Sequence, residues 1–209
     1  MLRKETVDAG MLELLNGLMQ VPEVKAFALI GGTSLALRYG HRKSLDLDFF
    51  SNQRFNELQL LLSLKSRYGK HLEESSQEMQ TLRVFIHEIK IEFIAPRLPY
   101  LKPIQVIDGI RLFSEEDALS FKLNAIERRG ARRDFYDIYE ALNHFTLPQL
   151  IGFYQQKFST VAVTHLVKSL IYFGDADKER DPAMIKPITW NEVKTRIASE
   201  VKGFLADRG

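Results

Sequence analysis

Two acids and two glycines carry the clearest chemistry in this chain. Asp46 and Asp48 stand two apart in Ser44-Leu45-Asp46-Leu47-Asp48-Phe49-Phe50, and side chains two apart on a strand share a face. Carboxylates so placed repel each other, and local spacing offers neither one a cationic partner. A divalent cation resolves the conflict, and Mg²⁺ prefers a few carboxylate oxygens together with phosphate and water. Upstream lies Ile30-Gly31-Gly32-Thr33-Ser34. A glycine pair after a strand turns the chain sharply and lets backbone N–H groups approach an anion, while the next helix offers its positive end to phosphate. The bare alternative is a tight strand-to-helix turn. Thr33 and Ser34 add hydroxyls, either as donors to the anion or as helix caps. His41 suits orienting a carboxylate or packing at a turn, and Arg42 suits a phosphate or a salt bridge to one of the aspartates.

The elements that must position these residues follow from periodicity. Val7, Met11, Leu14, Leu15 and Leu18 predict an amphipathic helix over 5–20, ended near Pro22. The apolar run 25–30 predicts a buried strand, 33–39 a short helix stopped by Gly40, and 45–50 a strand with Leu45, Leu47 and Phe49 against the core. Residues 54–68 return to helical spacing, and the polar run 70–80 reads as a loop. Strands follow over 81–86 and 89–95, joined at His87-Glu88, and the run 106–113 turns at Asp108-Gly109. From Ser114-Glu115-Glu116-Asp117, a helix start with a capping hydroxyl and acids in its first turn, the chain reads as helical. Helices are expected near 115–129, 132–145, 147–157, 159–172 and 189–206, the last opened by a Thr189-x-x-Glu192 capping box. The composition shift near residue 114 divides the chain into a sheet-bearing part, 1–113, and a helical part, 114–209.

Bulk properties narrow the setting. With 45% hydrophobic residues over 209 positions a sizeable core is available, and disorder is not expected. Since 29 Lys+Arg oppose 27 Asp+Glu, any nucleic-acid surface must be a local patch. Arg128, Arg129, Arg132 and Arg133 form the densest one, a track for an RNA backbone or a solvated helix turn. The absence of cysteine excludes disulfides and thiolate-bound zinc. No apolar run approaches the roughly 20 residues that span a bilayer, and the first residues lack the form of a signal peptide, so the expectation is a soluble cytoplasmic protein.

Gly31-Gly-Thr-Ser-Leu-x-Leu-x-Tyr-Gly-His-Arg-x-Ser-x-Asp-Leu-Asp-Phe-Phe resembles the first motif of the AbiEii/AbiGii toxin family, a branch of the polymerase-β-like nucleotidyltransferases. Lys122-Leu-Asn-Ala-Ile-Glu-Arg-Arg129-Gly-Ala-Arg-Arg133-Asp134-Phe-Tyr-Asp137 resembles the second, in the same order and at a fitting distance. The resemblance implies an α+β fold: a mixed sheet with flanking helices, then a helical part that completes the active-site cleft. It implies a Gly31-Gly32 turn that holds a triphosphate, Asp46 and Asp48 as metal ligands, and Glu92 as the third acid. Glu92 can equally serve in a cross-strand or Lys90 charge pair. Lys122 becomes the foremost triphosphate cation, seven residues from Arg129 on one helix face. By the same resemblance Thr33, Ser34, Arg42, Ser44, Arg133 and Asp137 join the nucleotide site and Asp134 the catalytic set. Arg133 and Asp137 are also candidates for merely pinning two helices together. The implied reaction moves a nucleoside monophosphate from an NTP to an acceptor hydroxyl with Mg²⁺, or Mn²⁺, as cofactor. The implied setting is an abortive-infection or toxin–antitoxin system with tRNA as acceptor and a cognate antitoxin as partner. A small molecule or protein acceptor, or a binding module without turnover, are the alternatives.

Overall fold

The computed structural model describes residues 1–159 and 162–207. A mixed seven-stranded sheet forms the middle layer. Its strands are β1 (Ala28–Ile30), β2 (Leu47–Phe50), β3 (Leu72–Glu78), β4 (Thr81–Ile86), β5 (Ile89–Ile94), β6 (Gln105–Ile107) and β7 (Ile110–Leu112), in the order β3-β4-β5-β2-β1-β7-β6. β2 runs parallel to β5 and β7 parallel to β1, while the other neighbours are antiparallel. Helices α1 (Ala9–Met19) and α3 (Glu57–Tyr68) belong to the first half of the chain, with α2 (Gly31–Tyr39) between β1 and β2. The second half contributes α4 (Glu115–Arg128), α5 (Arg132–Ala141), α6 (Leu147–Lys157), α7 (Val163–Leu170) and α8 (Trp190–Ala206).

Alternation sorts the sheet's side chains between two cores. Leu47, Phe49, Leu82, Val84, Ile91 and Phe93 pack with α1 and α3, and Ala28 and Ile30 pack with the C-terminal helices. Leu29 belongs to the first core, so β1 is buried on both faces. Beneath the acids, the fully buried rings of Phe49 and Phe93 lie 5.1 Å apart, a contact that adds about 1 kcal/mol beyond area burial. Asp48 and Glu92, both partly buried, occupy the opposite face of β2 and β5.

Local chemistry sets the boundaries. Asp8 accepts a hydrogen bond from Met11 N at 2.7 Å, so α1 begins four residues later than the apolar spacing suggests. Ser114 and Thr189 cap α4 and α8 as their sequences announce. Glycine is required at position 40, where φ is +67° at the end of α2. The turns at His87-Glu88 and Asp108-Gly109 are both built from left-handed residues, matching the twist of the strands they join.

Several expectations need correction. Residues 70–80 are not a loop, because they hold edge strand β3. Its Glu-rich sequence lacks apolar alternation, and it is ordered by pairing with β4. Leu45 precedes β2 and is 73% exposed instead of joining the core. The helix expected over 132–145 ends at Ala141. Of the helix expected over 159–172, residues 163–170 are helical, and residues 160–161 lie outside the described residues. Among the described residues no helix is long and apolar enough to cross a membrane.

Candidate active site

The turn after β1 meets Asp48 of β2 directly, while Asp46, expected on the same strand, precedes it. Gly31 has a φ of +73°, and a Cβ built on it would stand 2.3 Å from Asp48 Oδ2. A Cβ on Gly32 would stand 2.4 Å from Arg42 Nη2. Both glycines are therefore demanded by close approach, one to an acid and one to a guanidinium group. Ile30 precedes α2 without a side-chain cap, which leaves the N–H groups of its first turn free of side-chain acceptors. Thr33 does not cap that helix. Its hydroxyl donates to the Asp46 carbonyl and lies 2.8 Å from Ser44 Oγ, tying the approach to β2 onto α2. Ser34 donates to Gly31 O at 3.0 Å.

Asp48 and Glu92 are register partners on the parallel strands β2 and β5. Burial, then the neighbouring Glu92 and Asp46 carboxylates, push Asp48 up to about 6, against the opposing pull of Lys122 and Lys90. Glu92 leans away, taking Lys90 Nζ at 2.7 Å and Arg83 Nε at 3.1 Å. Asp46 is 3.7 Å from Arg133 Nη1. The donor set thus has the hard-oxygen chemistry of a Mg²⁺ site, and the raised proton affinity of Asp48 comes from its burial and then from the neighbouring carboxylates. With Glu92 on Arg83 and Lys90, no three acidic or histidine side chains among the described residues form a ready metal cluster.

Behind the cleft floor lies a buried ion cluster centred on Asp137. Arg42 donates to both its oxygens, Nε to Oδ1 at 2.7 Å and Nη2 to Oδ2 at 2.8 Å, and His41 Nε2 meets Oδ1 at 2.7 Å. Lys122 Nζ sits between Asp134 Oδ1 at 2.8 Å and Asp137 Oδ2 at 2.9 Å. Arg129 Nε reaches Asp134 Oδ2 at 3.3 Å. Burial alone would raise Asp137, yet Arg42 and Lys122 hold it well below the usual carboxylate range. Burial opposes the charge of Lys122 too, and Asp134 and Asp137 outweigh it to raise the ammonium above its ordinary value.

A cleft of about 1120 Å³ gathers most of the residues singled out in the sequence. Gly31, Gly32, Thr33, Arg42, Ser44, Asp46, Asp48, Glu92, Lys122, Arg129 and Arg133 all line it. Ser34, Asp134 and Asp137 are buried behind its wall, where Asp134 and Asp137 hold lining cations. Sequence reasoning missed the segment between the short helical turn Ala176–Lys178 and α8. It crosses α5 as a strap, with Arg132 N donating to Glu179 Oε2 at 2.9 Å and Tyr136 Oη to Asp181 Oδ1 at 2.7 Å. The strap then grips residues 41–43: Lys43 N donates to Ala183 O at 2.7 Å and Ile185 N to His41 O at 2.9 Å. Glu179, Arg180, Pro182 and Ala183 line the cleft. The segment has neither helical nor strand periodicity, so its charged run Asp177-Lys-Glu-Arg-Asp181 was the one available signal.

Comparison with known proteins follows the same lines. The family model described as "Nucleotidyl transferase AbiEii toxin, Type IV TA system" matches residues 13–203. An uncharacterised protein of Aquifex aeolicus is 33% identical over 183 residues, which cover 86% of this chain and 88% of that protein. Among solved structures, JHP933 from Helicobacter pylori has a TM-score of 0.57 at 21% identity, covering 92% of this chain and 87% of its own. MenT4, a nucleotidyltransferase toxin from Mycobacterium tuberculosis, has a TM-score of 0.54 at 17% identity, covering 96% and 86%. These two likenesses concern the fold.

Proposed function

The chain belongs to the AbiEii nucleotidyltransferase toxin family, and on that premise we propose that it transfers a nucleoside monophosphate from an NTP to a hydroxyl of tRNA, releasing pyrophosphate. The observation that carries this reading is the direct apposition of the Gly31-Gly32 turn to Asp48, with Glu92 in register beside it. One surface thereby offers a phosphate the uncapped start of α2 and offers a divalent cation a set of carboxylates.

Asp46, Asp48 and Glu92 would hold Mg²⁺, or Mn²⁺, once Glu92 turns from Lys90 and Arg83. When bound, the ion polarises the phosphoryl oxygens and the attacking hydroxyl and stabilises charge on the leaving group. The remaining work is positioning and electrostatics, as in other phosphoryl transfers. Gly31 and Gly32 bring Asp48 and Arg42 against the turn whose backbone N–H groups would meet the phosphates. Glu92, on the neighbouring strand, receives the proton of the acceptor hydroxyl. Arg42 and Lys122, fixed by Asp137 and Asp134, supply a standing positive field beneath the turn. The cognate antitoxin of a type IV system is the expected partner, with this chain as the toxin.

Incubation with α-labelled NTPs, Mg²⁺ and total RNA tests the reading. Label is expected in RNA of tRNA size and is expected to vanish in Asp46→Asn and Asp48→Asn variants that remain folded. Label in a protein would shift the acceptor to a protein hydroxyl. Undiminished labelling by both variants would remove the acids from the mechanism.

A further inference from the structure

The cations of the cleft divide into those already answered by a carboxylate and those that are not. Arg42 is taken by Asp137, Lys122 by Asp134 and Asp137, Arg129 by Asp134, and Arg133 approaches Asp46, while Lys43 donates to the Glu5 carbonyl. Arg128, in the last turn of α4, and Arg180, on the strap, line the same cleft and are exposed. Neither side chain has a hydrogen bond or ion pair among the described residues. The backbone at Arg180 is nonetheless fixed, since Glu179 and Asp181 on either side are fastened to α5. An arginine with an anchored backbone and an unpartnered head, set in a cleft, is arranged for a ligand.

We propose that Arg180, together with Arg128, holds the polyphosphate tail of the nucleotide. The assignment rests on the cleft being the nucleotide site, as argued above, and goes further in naming which charges meet the tail. Recruiting Lys122 for that task means drawing it from two buried carboxylates, which then lose part of their compensation. Arg128 and Arg180 have no partner to abandon. Guanidinium groups also match phosphate oxygens bidentately, which favours them over a point charge for an extended anion. Lys122 then keeps its role as part of the fixed field, and the strap becomes a wall of the substrate site.

Titration calorimetry of the full chain with each of the four NTPs and the corresponding NMPs, in Mg²⁺, tests this. The wild-type chain is expected to bind at least one NTP more tightly than its NMP. Arg180→Gln and Arg128→Gln are each expected to weaken that NTP about tenfold and the pair about a hundredfold. NMP affinity and the thermal midpoint should stay unchanged, and Arg180→Lys should recover part of the loss. Unaltered NTP binding by Arg180→Gln overturns the assignment, as does an equal loss for NTP and NMP. A loss confined to an RNA oligonucleotide would place the arginine on the acceptor's backbone and overturn it too. A wild-type chain that binds none of the NTPs overturns both this assignment and the nucleotide reading beneath it.

Discussion

Replacing Asp137 with Asn keeps the size of the side chain and removes the charge at the centre of the buried cluster. The carboxylate receives two hydrogen bonds from Arg42, one from His41 and the ammonium of Lys122, and every one of these groups is nearly or wholly buried. The Asn amide must point its NH2 at a donor, Arg42 or Lys122, so one cation faces like polarity. Removing one partner of a buried pair costs about 3–5 kcal/mol. Lys122 retains Asp134 at 2.8 Å, so the stranded charge is chiefly that of Arg42, and the lower half of the range, about 3–4 kcal/mol, applies. With a urea slope of about 2–3 kcal/mol per M, the unfolding midpoint should fall by about 1–2 M at pH 7. The pH dependence follows from the depressed native pKa of Asp137. Its stabilisation is fully present above the ordinary unfolded value near 4 and is lost as pH falls through the native one. The gap between wild type and variant should therefore stay constant from pH 5 to 8 and close in acid. A shift below about 0.3 M at pH 7, or a gap that widens in acid, would refute the account of a buried, mutually compensated cluster.

Three further outcomes follow from the site. Asp48→Asn should abolish transfer yet raise stability in EDTA by about 3 kcal/mol at pH 8, because the wild-type carboxylate is pushed up to about 6 and must ionise in the fold. That advantage should fade as pH falls through 6 toward 4, which thermal melts at pH 5 and 8 will read. Gly31→Ala should lower stability by about 1–2 kcal/mol or more and remove activity, since φ is +73° and the new Cβ meets Asp48; circular-dichroism melts and the labelling assay check both. Leu45→Ser should change stability by less than about 0.5 kcal/mol while Leu47→Ala costs about 3, because only the second side chain is buried.

The acids and the glycine turn were legible because their meaning is local. Alternation predicted a strand with both aspartates, of which β2 carries Asp48 while Asp46 precedes it, and a glycine pair after an apolar strand announced the turn. What the glycines serve was less visible: Gly31 makes room for Asp48 and Gly32 for Arg42, contacts only the folded chain supplies. Arg42 and Asp137, 95 residues apart, form a buried bidentate ion pair, and no periodicity encodes such a pairing. β3 escaped notice because an edge strand has one neighbour and can be polar throughout. The strap was unreadable for a related reason, since its order comes from α5 and residues 41–43 and not from its own propensities.

The grip of the strap on residues 41–43 bears on how the protein comes off the ribosome. Asp46 and Asp48 are translated early, but the stretch leading to them is fastened by Asp137 and by the backbone at Ala183 and Ile185. At about 5–20 residues per second, the 135 residues from Asp48 to Ala183 take roughly 7–27 s to add. Throughout that interval the nascent chain carries the acids without the scaffold that sets them. A chain that stops short of Ala183 lacks the backbone bonds from Ala183 and Ile185 that fasten residues 41–43 ahead of these acids.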